Sequence, residues 1–328
     1  MKAVQARYET RGPVPQDVIA PATVELPAPG AGQALVAVLA APINPSDVLM
    51  LTGGYGMLPP LPAVGGSEGV GRVVEVGPDV ALKPGQLVLL AAGSGTWCSH
   101  QIADARRLVP LPEGADPQQM AMLTVNPATA ALLLSEFVPL AAGDWVIQNV
   151  ANSGVGGYLV QLARARGLRT VNVVRREGAV AAVQAQGGDM VLVDGDDLAK
   201  RVRQATGGAS IQLGIDAVGG HATDRLARCL AEGGTLVNYG LMSGEPCVVS
   251  AEAFVFKDVT LRGFWLAKWF GKAPREAQRA LYAELTRALA AGELKARVHA
   301  TYPVERIRDA VAAAAAGERD GKILVVPA

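Results

Sequence analysis

The sequence predicts an α/β protein, a doubly wound parallel sheet joined to a β-rich domain that the C-terminal tail completes. Two textures carry this expectation. Residues 1–124 hold short β-branched runs broken by Gly and Pro, whereas from Trp145 onward apolar strands alternate with longer Ala-, Leu- and Arg-rich segments. Strands alternating with amphipathic helices imply right-handed crossovers and a parallel sheet covered on both faces. The length of 328 residues suits about two domains.

In the first part, the runs near Met1–Ala6, Ala34–Ala41, Gly69–Val76 and Leu87–Ala92 have strand lengths, and NPSD, GGYG, GPDV and GSGTW punctuate them. In the second, WVIQNV leads into the helical GVGGYLVQLARARG. There follow TVNVV, a helix to Gln186, MVLVD, a further helix, IQLGIDAV, a helix through Leu230, and TLVNYG. Beyond these come a strand VTLRGFWL at 259–266, a helix from about Pro274 to Ala291, strand-like ARVHATYP, an Ala-rich helix and a last strand KILVVP. The domain division expected is 1–124 with 266–328, and 125–265 between them. DVTLRGFWL suits an edge strand that something must cover.

Thirty basic residues balance thirty acidic ones, leaving no excess of cations to bind a nucleic acid. Half the residues are apolar and 18% charged, the balance of a compact globular chain. Cys98, Cys229 and Cys247 are too few and too scattered for a disulfide framework, and no CxxC pair is present. A reducing compartment, the cytoplasm by default, is expected. The N-terminal stretch has no apolar core resembling a secretory signal, and the best apolar run, Ala121–Leu134, is broken by Asn126 and Pro127, so no membrane span is predicted. His100, His221 and His299 show no ligand spacing. Cys98 lies two residues from His100, yet no third group is identifiable to orient the pair for covalent catalysis.

The strand WVIQNV runs into Ala151, Asn152, Ser153, Gly154, Val155, Gly156 and Gly157, which open a helix. Small residues there let the turn tighten and bring backbone N–H groups against a pyrophosphate, where a helix N-terminus favours negative charge. The second strand ends at Val174 and is followed by Arg175 and Arg176. A carboxylate at that place would accept from a ribose 2′-hydroxyl, whereas guanidinium groups match a 2′-phosphate, so NADPH is the expected cofactor. Glu177, next in line, keeps the ribose alternative open.

Several segments together resemble a known superfamily. They are INPSD at 43–47, GGYGMLPPLPAVGGSEGVG at 53–71, LTVNPATA at 123–130, VIQNVANSGVGG at 146–157, TVNVVRR at 170–176, VNYGLM at 237–242, FKDVTLRGFWLAKW at 256–269 and GKILVV at 321–326. The chain resembles the medium-chain dehydrogenase/reductases, and among them the mitochondrial-type 2-enoyl thioester reductases, which reduce trans-2-enoyl-CoA or enoyl-acyl-carrier-protein. This resemblance implies a Rossmann cofactor domain, a GroES-like catalytic domain and a homodimer. Zinc-dependent members hold their catalytic metal at positions matched here by Asn44, Ser67 and Val125 or Asn126, none of which supplies a thiolate or imidazole. Zinc is therefore not expected, and alcohol oxidation loses its means of stabilising an alkoxide.

Reduction of an activated C=C bond remains. Conjugation to a thioester carbonyl makes Cβ electrophilic, so a hydride delivered there leaves an enolate that needs a proton at Cα. A phenol keeps its proton at neutral pH and can give it. The resemblance assigns that role to Tyr55, whose flanking Gly54 and Gly56 allow close backbone approach. It also implies that Phe264, Trp265 and Leu266 border the nicotinamide and substrate pocket, and that Asn126, Tyr239, Gly240, Leu241 and Met242 contact cofactor. Lys322 would reach a phosphate, and Asn44 and Thr129 would neighbour the nicotinamide. Two alternatives stay open: an NADPH-dependent quinone or small enone reductase, and a catalytically silent NADPH-binding protein.

Overall fold

A computed structural model of the chain describes residues 1–317 and 319–327. The chain packs as two compact units, Met1–Val125 with Tyr282–Ala328, and Asn126–Leu281. The first boundary lies one residue from the expected one. The second falls at 281/282 where the sequence suggested 265/266, because the helix Leu266–Phe270 and the first part of the helix Arg275–Ala290 belong to the second unit.

In the first unit, Lys2–Tyr8 pairs antiparallel with Ile19–Glu25 and with Ala63–Val64. A larger sheet is organised on Gln33–Pro42, which pairs antiparallel with Val70–Val76 and His100–Asp104. The tail joins this sheet: Lys322–Val325 pairs antiparallel with Gln33–Pro42 and parallel with Val298–Tyr302. Ile323 and Val325 thereby enter a core with Val36, Ile43, Val73 and Val88. Trp97 is its largest fully buried side chain, with Nε1 donating to Pro42 O at 3.1 Å. Beyond the strands legible in the sequence, a helix Pro45–Thr52 forms, started by Asn44 and by a proline whose missing N–H costs a first turn nothing.

The second unit is a six-stranded sheet, parallel throughout, in the order Met190–Val193, Arg169–Val174, Trp145–Gln148, Ile211–Asp216, Thr235–Asn238, Thr260–Gly263. Such an order runs outward from Trp145–Gln148 in both directions, which opens a crevice at the carboxyl ends of the central strands. Ile147, Val171, Val173, Leu226 and Leu236 form the core, with Leu198 and Val202 from the helix Leu198–Ala205. The last strand is shorter than the predicted 259–266. Its ladder with Thr235–Asn238 stops at Gly263, after which Phe264 N still donates to Asn238 O at 2.8 Å. Trp265 and Leu266 consequently stand outside the sheet, at the entry to the helix Leu266–Phe270. No described helix is long and apolar enough to cross a membrane.

Candidate active site

The glycine-rich turn follows Trp145–Gln148 and opens the twelve-residue helix Gly154–Ala165. Ser153 caps that helix, its Oγ accepting from Gly156 N at 3.0 Å. Gly156 packs so closely on the turn that a Cβ would lie 2.6 Å from Ala151 O, so only glycine closes it. Val150 sits at φ 49°, a conformation that a β-branched side chain avoids, and it is held there by hydrogen bonds on either side. Asn149 N donates to Ile215 O at 3.1 Å, and Ser153 N donates to Val150 O at 2.9 Å. The result is a compact cradle at a helix N-terminus, fitted to a pyrophosphate.

One buried carboxylate ties the crevice together. Asp216, fully buried, accepts from Asn149 Nδ2 at 2.6 Å, Thr223 Oγ1 at 2.7 Å, Asn238 Nδ2 at 2.9 Å and Val218 N at 2.8 Å. Asn149 Oδ1 in turn accepts from Ala217 N at 2.8 Å. These bonds join the carboxyl ends of three adjacent strands, and sequence reasoning assigned no role to either residue. The signal available was their place at the ends of WVIQNV and IQLGID.

Apart from Asn126 and Thr129, the other residues expected in this unit also follow strand ends on the same side of the sheet. Arg175 and Arg176 are exposed directly after Arg169–Val174. Tyr239, Gly240, Leu241 and Met242 follow Thr235–Asn238, laced to the neighbouring loop by Tyr239 N donating to Asp216 O at 2.9 Å and Met242 N donating to Ala217 O at 3.1 Å. Tyr239 also hydrogen-bonds Ser153 through its side chain, and burial raises its phenol well above the ordinary value. Phe264 makes an edge-on contact with Phe137, ring centroids 5.9 Å apart, while Trp265 remains 38% exposed and so does not serve as core packing. Asn126 and Thr129 are buried on the helix Asn126–Leu133.

In the first unit, the positions matching the zinc ligands lie in a buried polar cluster. Asn44 Nδ2 donates to Glu68 Oε1 at 2.7 Å, and Asn44 Oδ1 accepts from the Lys322 ammonium. Glu68 Oε2 accepts from Val125 N at 2.9 Å. Asp47 completes the cluster, Oδ2 accepting from Asn44 N at 2.7 Å and Oδ1 from the Ser67 hydroxyl. Burial raises the Glu68 carboxyl to about 7 against the opposing pull of the Asn44 hydrogen bond and the Lys322 charge. Burial likewise lowers Lys322 to about 8, with Glu68 opposing.

The donor set here is amide, hydroxyl and two carboxylates already engaged by hydrogen bonds. Among the described residues no group of His, Cys, Asp and Glu is arranged to hold a metal ion. The expectation that Lys322 reaches a phosphate meets a different geometry, since its ammonium is turned inward to Asn44 and to Ile43 O at 3.2 Å.

Tyr55 lies past the other end of the helix that Asn44 starts. Gly53, at φ 86°, closes the helix Pro45–Thr52, and Gly54 N donates to Leu49 O at 2.9 Å. Tyr55 follows, half-buried, in a loop whose far side is held by the Arg11 guanidinium on Pro59 O. Cys98 offers no competing nucleophile: burial pushes its thiol up to about 12, and its Sγ donates to Gly95 O.

Comparison with known proteins shows the family. Residues 30–113 match the alcohol dehydrogenase GroES-like domain and residues 154–284 the zinc-binding dehydrogenase family. The mitochondrial enoyl-[acyl-carrier-protein] reductase of Rattus norvegicus is 39% identical over 306 residues, spanning 91% of this chain and 82% of the relative. A putative NADPH:quinone reductase from Bacillus thuringiensis superposes with a TM-score of 0.90 at 28% identity, each chain fully covered. The Etr1p complex with NADP and crotonyl-CoA gives 0.89 at 25% identity, covering 99% of this chain and all of the other. The Etr1p/Etr2p heterodimer of Candida tropicalis, a mitochondrial 2-enoyl thioester reductase, gives 0.88 at 25% identity with the same coverage. The chain belongs to the medium-chain dehydrogenase/reductases, in the zinc-independent branch of the mitochondrial-type enoyl thioester reductases.

Proposed function

We propose that the protein uses NADPH to reduce the C=C bond of trans-2-enoyl thioesters, carried on coenzyme A or an acyl carrier protein. The observation that carries this reading is the likeness, across nine-tenths of the chain, to enoyl reductases. Bound NADPH supplies the hydride that adds to Cβ. The chain supplies the rest: Ser153, Gly154 and Val155 with Asn152 present the turn to the pyrophosphate, and Arg175 and Arg176 meet the 2′-phosphate. Asn126, Thr129, Asn44 and the Tyr239–Met242 loop orient the nicotinamide and ribose. Phe264, Trp265 and Leu266 give the acyl chain an apolar wall. Tyr55 donates the proton that Cα takes up as the enolate collapses, and recovers it from solvent.

A second reading, a quinone or small enone reductase, has the Bacillus thuringiensis likeness in its favour. The two separate on substrate. The purified protein is expected to oxidise NADPH with crotonyl-CoA and hexenoyl-CoA, and turnover of quinones alone would overturn the thioester assignment. Tyr55→Phe is expected to cut kcat for crotonyl-CoA by about 10²-fold or more, the scale of general-acid catalysis. NADPH affinity should stay near that of the wild type; an unchanged rate would remove Tyr55 from the chemistry.

The paired substitution Arg175→Ala/Arg176→Ala is expected to weaken NADPH binding by about tenfold or more, each tenfold being about 1.4 kcal/mol, while binding of NADH stays within about twofold. Fluorescence titration of both cofactors checks this, and equal losses for the two would show that neither guanidinium reads the 2′-phosphate.

The reading includes a homodimer and a reducing, cytoplasmic setting. Thr260–Gly263 ends the parallel sheet, and Phe254, Val255 and Phe256 just before it are exposed. Pairing two such edges covers unpaired backbone groups and apolar surface together. Cys247 is an exposed free thiol, suited to a reducing compartment. Sedimentation velocity is expected to give twice the chain mass, with Gly263→Pro, which removes an N–H on the open edge while Thr260 and Phe264 keep theirs on the neighbouring strand, shifting the protein to monomer; a wild-type monomer at micromolar concentration would contradict the pairing.

A further inference from the structure

The cluster around Asn44 holds two opposite charges that do not meet directly. The Asn44 amide stands between them, its NH₂ on the Glu68 carboxylate and its oxygen on the Lys322 ammonium. Asn44, Glu68 and Lys322 are each more than nine-tenths buried. The charged groups facing Glu68 and Lys322 are Asp47 and Arg319; burial, and after it the Glu68 charge, raises the Tyr282 phenol, which donates to Thr124 O at 2.7 Å. Two buried charges are a poor device for stability, because desolvation offsets their attraction. Their effect on geometry is more definite. An amide gripped by an acceptor on one side and a donor on the other has a single orientation.

That orientation is passed along the chain. Asn44 begins the helix Pro45–Thr52, Asp47 in the first turn takes the Asn44 N–H, and the helix ends at Gly53, two residues before Tyr55. An eight-residue helix with both ends tied moves as one piece. We infer that Glu68 and Lys322 are positioning residues for the reduction: by clamping opposite ends of the Asn44 amide they set the helix Pro45–Thr52 and with it the loop that presents Tyr55. The inference rests on Tyr55 as proton donor.

A double-mutant cycle tests it, with crotonyl-CoA turnover at saturating NADPH as the readout. Glu68→Gln places a donor where Asn44 Nδ2 or Val125 N now donates, and Lys322→Met removes the ammonium that donates to Asn44 Oδ1. Each is expected to lower kcat by about tenfold, with KM for crotonyl-CoA changed by less than about threefold, the pattern of an interaction that matters in the transition state. In the Tyr55→Phe background the same substitutions should cost less than about twofold, because a mispositioned loop that lacks the donor loses nothing more. Where Glu68→Gln alone does not fold, Glu68→Gln/Lys322→Met, which strands neither charge, carries the cycle. Equal fold losses in the two backgrounds, or a wild-type kcat in the variants, would overturn the inference. Wild-type turnover in Tyr55→Phe alone would remove the functional reading, and this inference with it.

Discussion

The amide of Asn44 can sit in its pocket only one way round. Its nitrogen faces a carboxylate and its oxygen an ammonium, so turning it over would set donor against donor and acceptor against acceptor. Much of the first unit is arranged around that constraint. The strand Gln33–Pro42 delivers Asn44, the turn before Val70–Val76 delivers Ser67 and Glu68, and the C-terminal strand delivers Lys322 from nearly three hundred residues away. A tail that paired elsewhere would leave Asn44 Oδ1 without its ammonium and Glu68 without a balancing charge.

The second unit solves a comparable problem with one carboxylate in place of two carboxylates and an ammonium. Asp216 collects donors from the neighbouring strand ends and from its own following turn, and in doing so keeps the loops at the crevice close. Val150 can hold a left-handed backbone next to the cofactor turn because these bonds surround it. In both units the polar groups that shape the site are buried and saturated by neighbours. Of the groups read as touching the ligand, Arg175, Arg176 and Trp265 are exposed and Tyr55 is half-buried, whereas Asn44, Asn126 and Thr129 are buried.

Sequence reasoning reached the elements whose signal is local. The parallel sheet was legible because each strand is a short apolar run followed by an amphipathic segment, and the cofactor turn because Gly and Ser fall at fixed offsets after WVIQNV. The site's supporting polar residues were not. Glu68, Asp47, Asn149 and Asp216 lie in runs where a carboxylate or amide reads as an ordinary turn residue, and only long-range pairing shows what each one meets. The same limit explains the strand predicted at 259–266. β-Branched and aromatic residues extend through Trp265, but the neighbouring strand stops offering partners at Asn238. Lys322 illustrates it again, since no local pattern says that a lysine at the head of a strand will turn its charge inward.

The account turns on where one hydroxyl stands when substrate is bound. A crystal structure of the protein with NADP and crotonyl-CoA measures it directly. The expected result places the Tyr55 hydroxyl within about 3.5 Å of the substrate Cα, or joined to it through a single water, with the Asn44 amide still bridging Glu68 and Lys322. A bound complex in which that hydroxyl points away from Cα with no water between them would contradict the account.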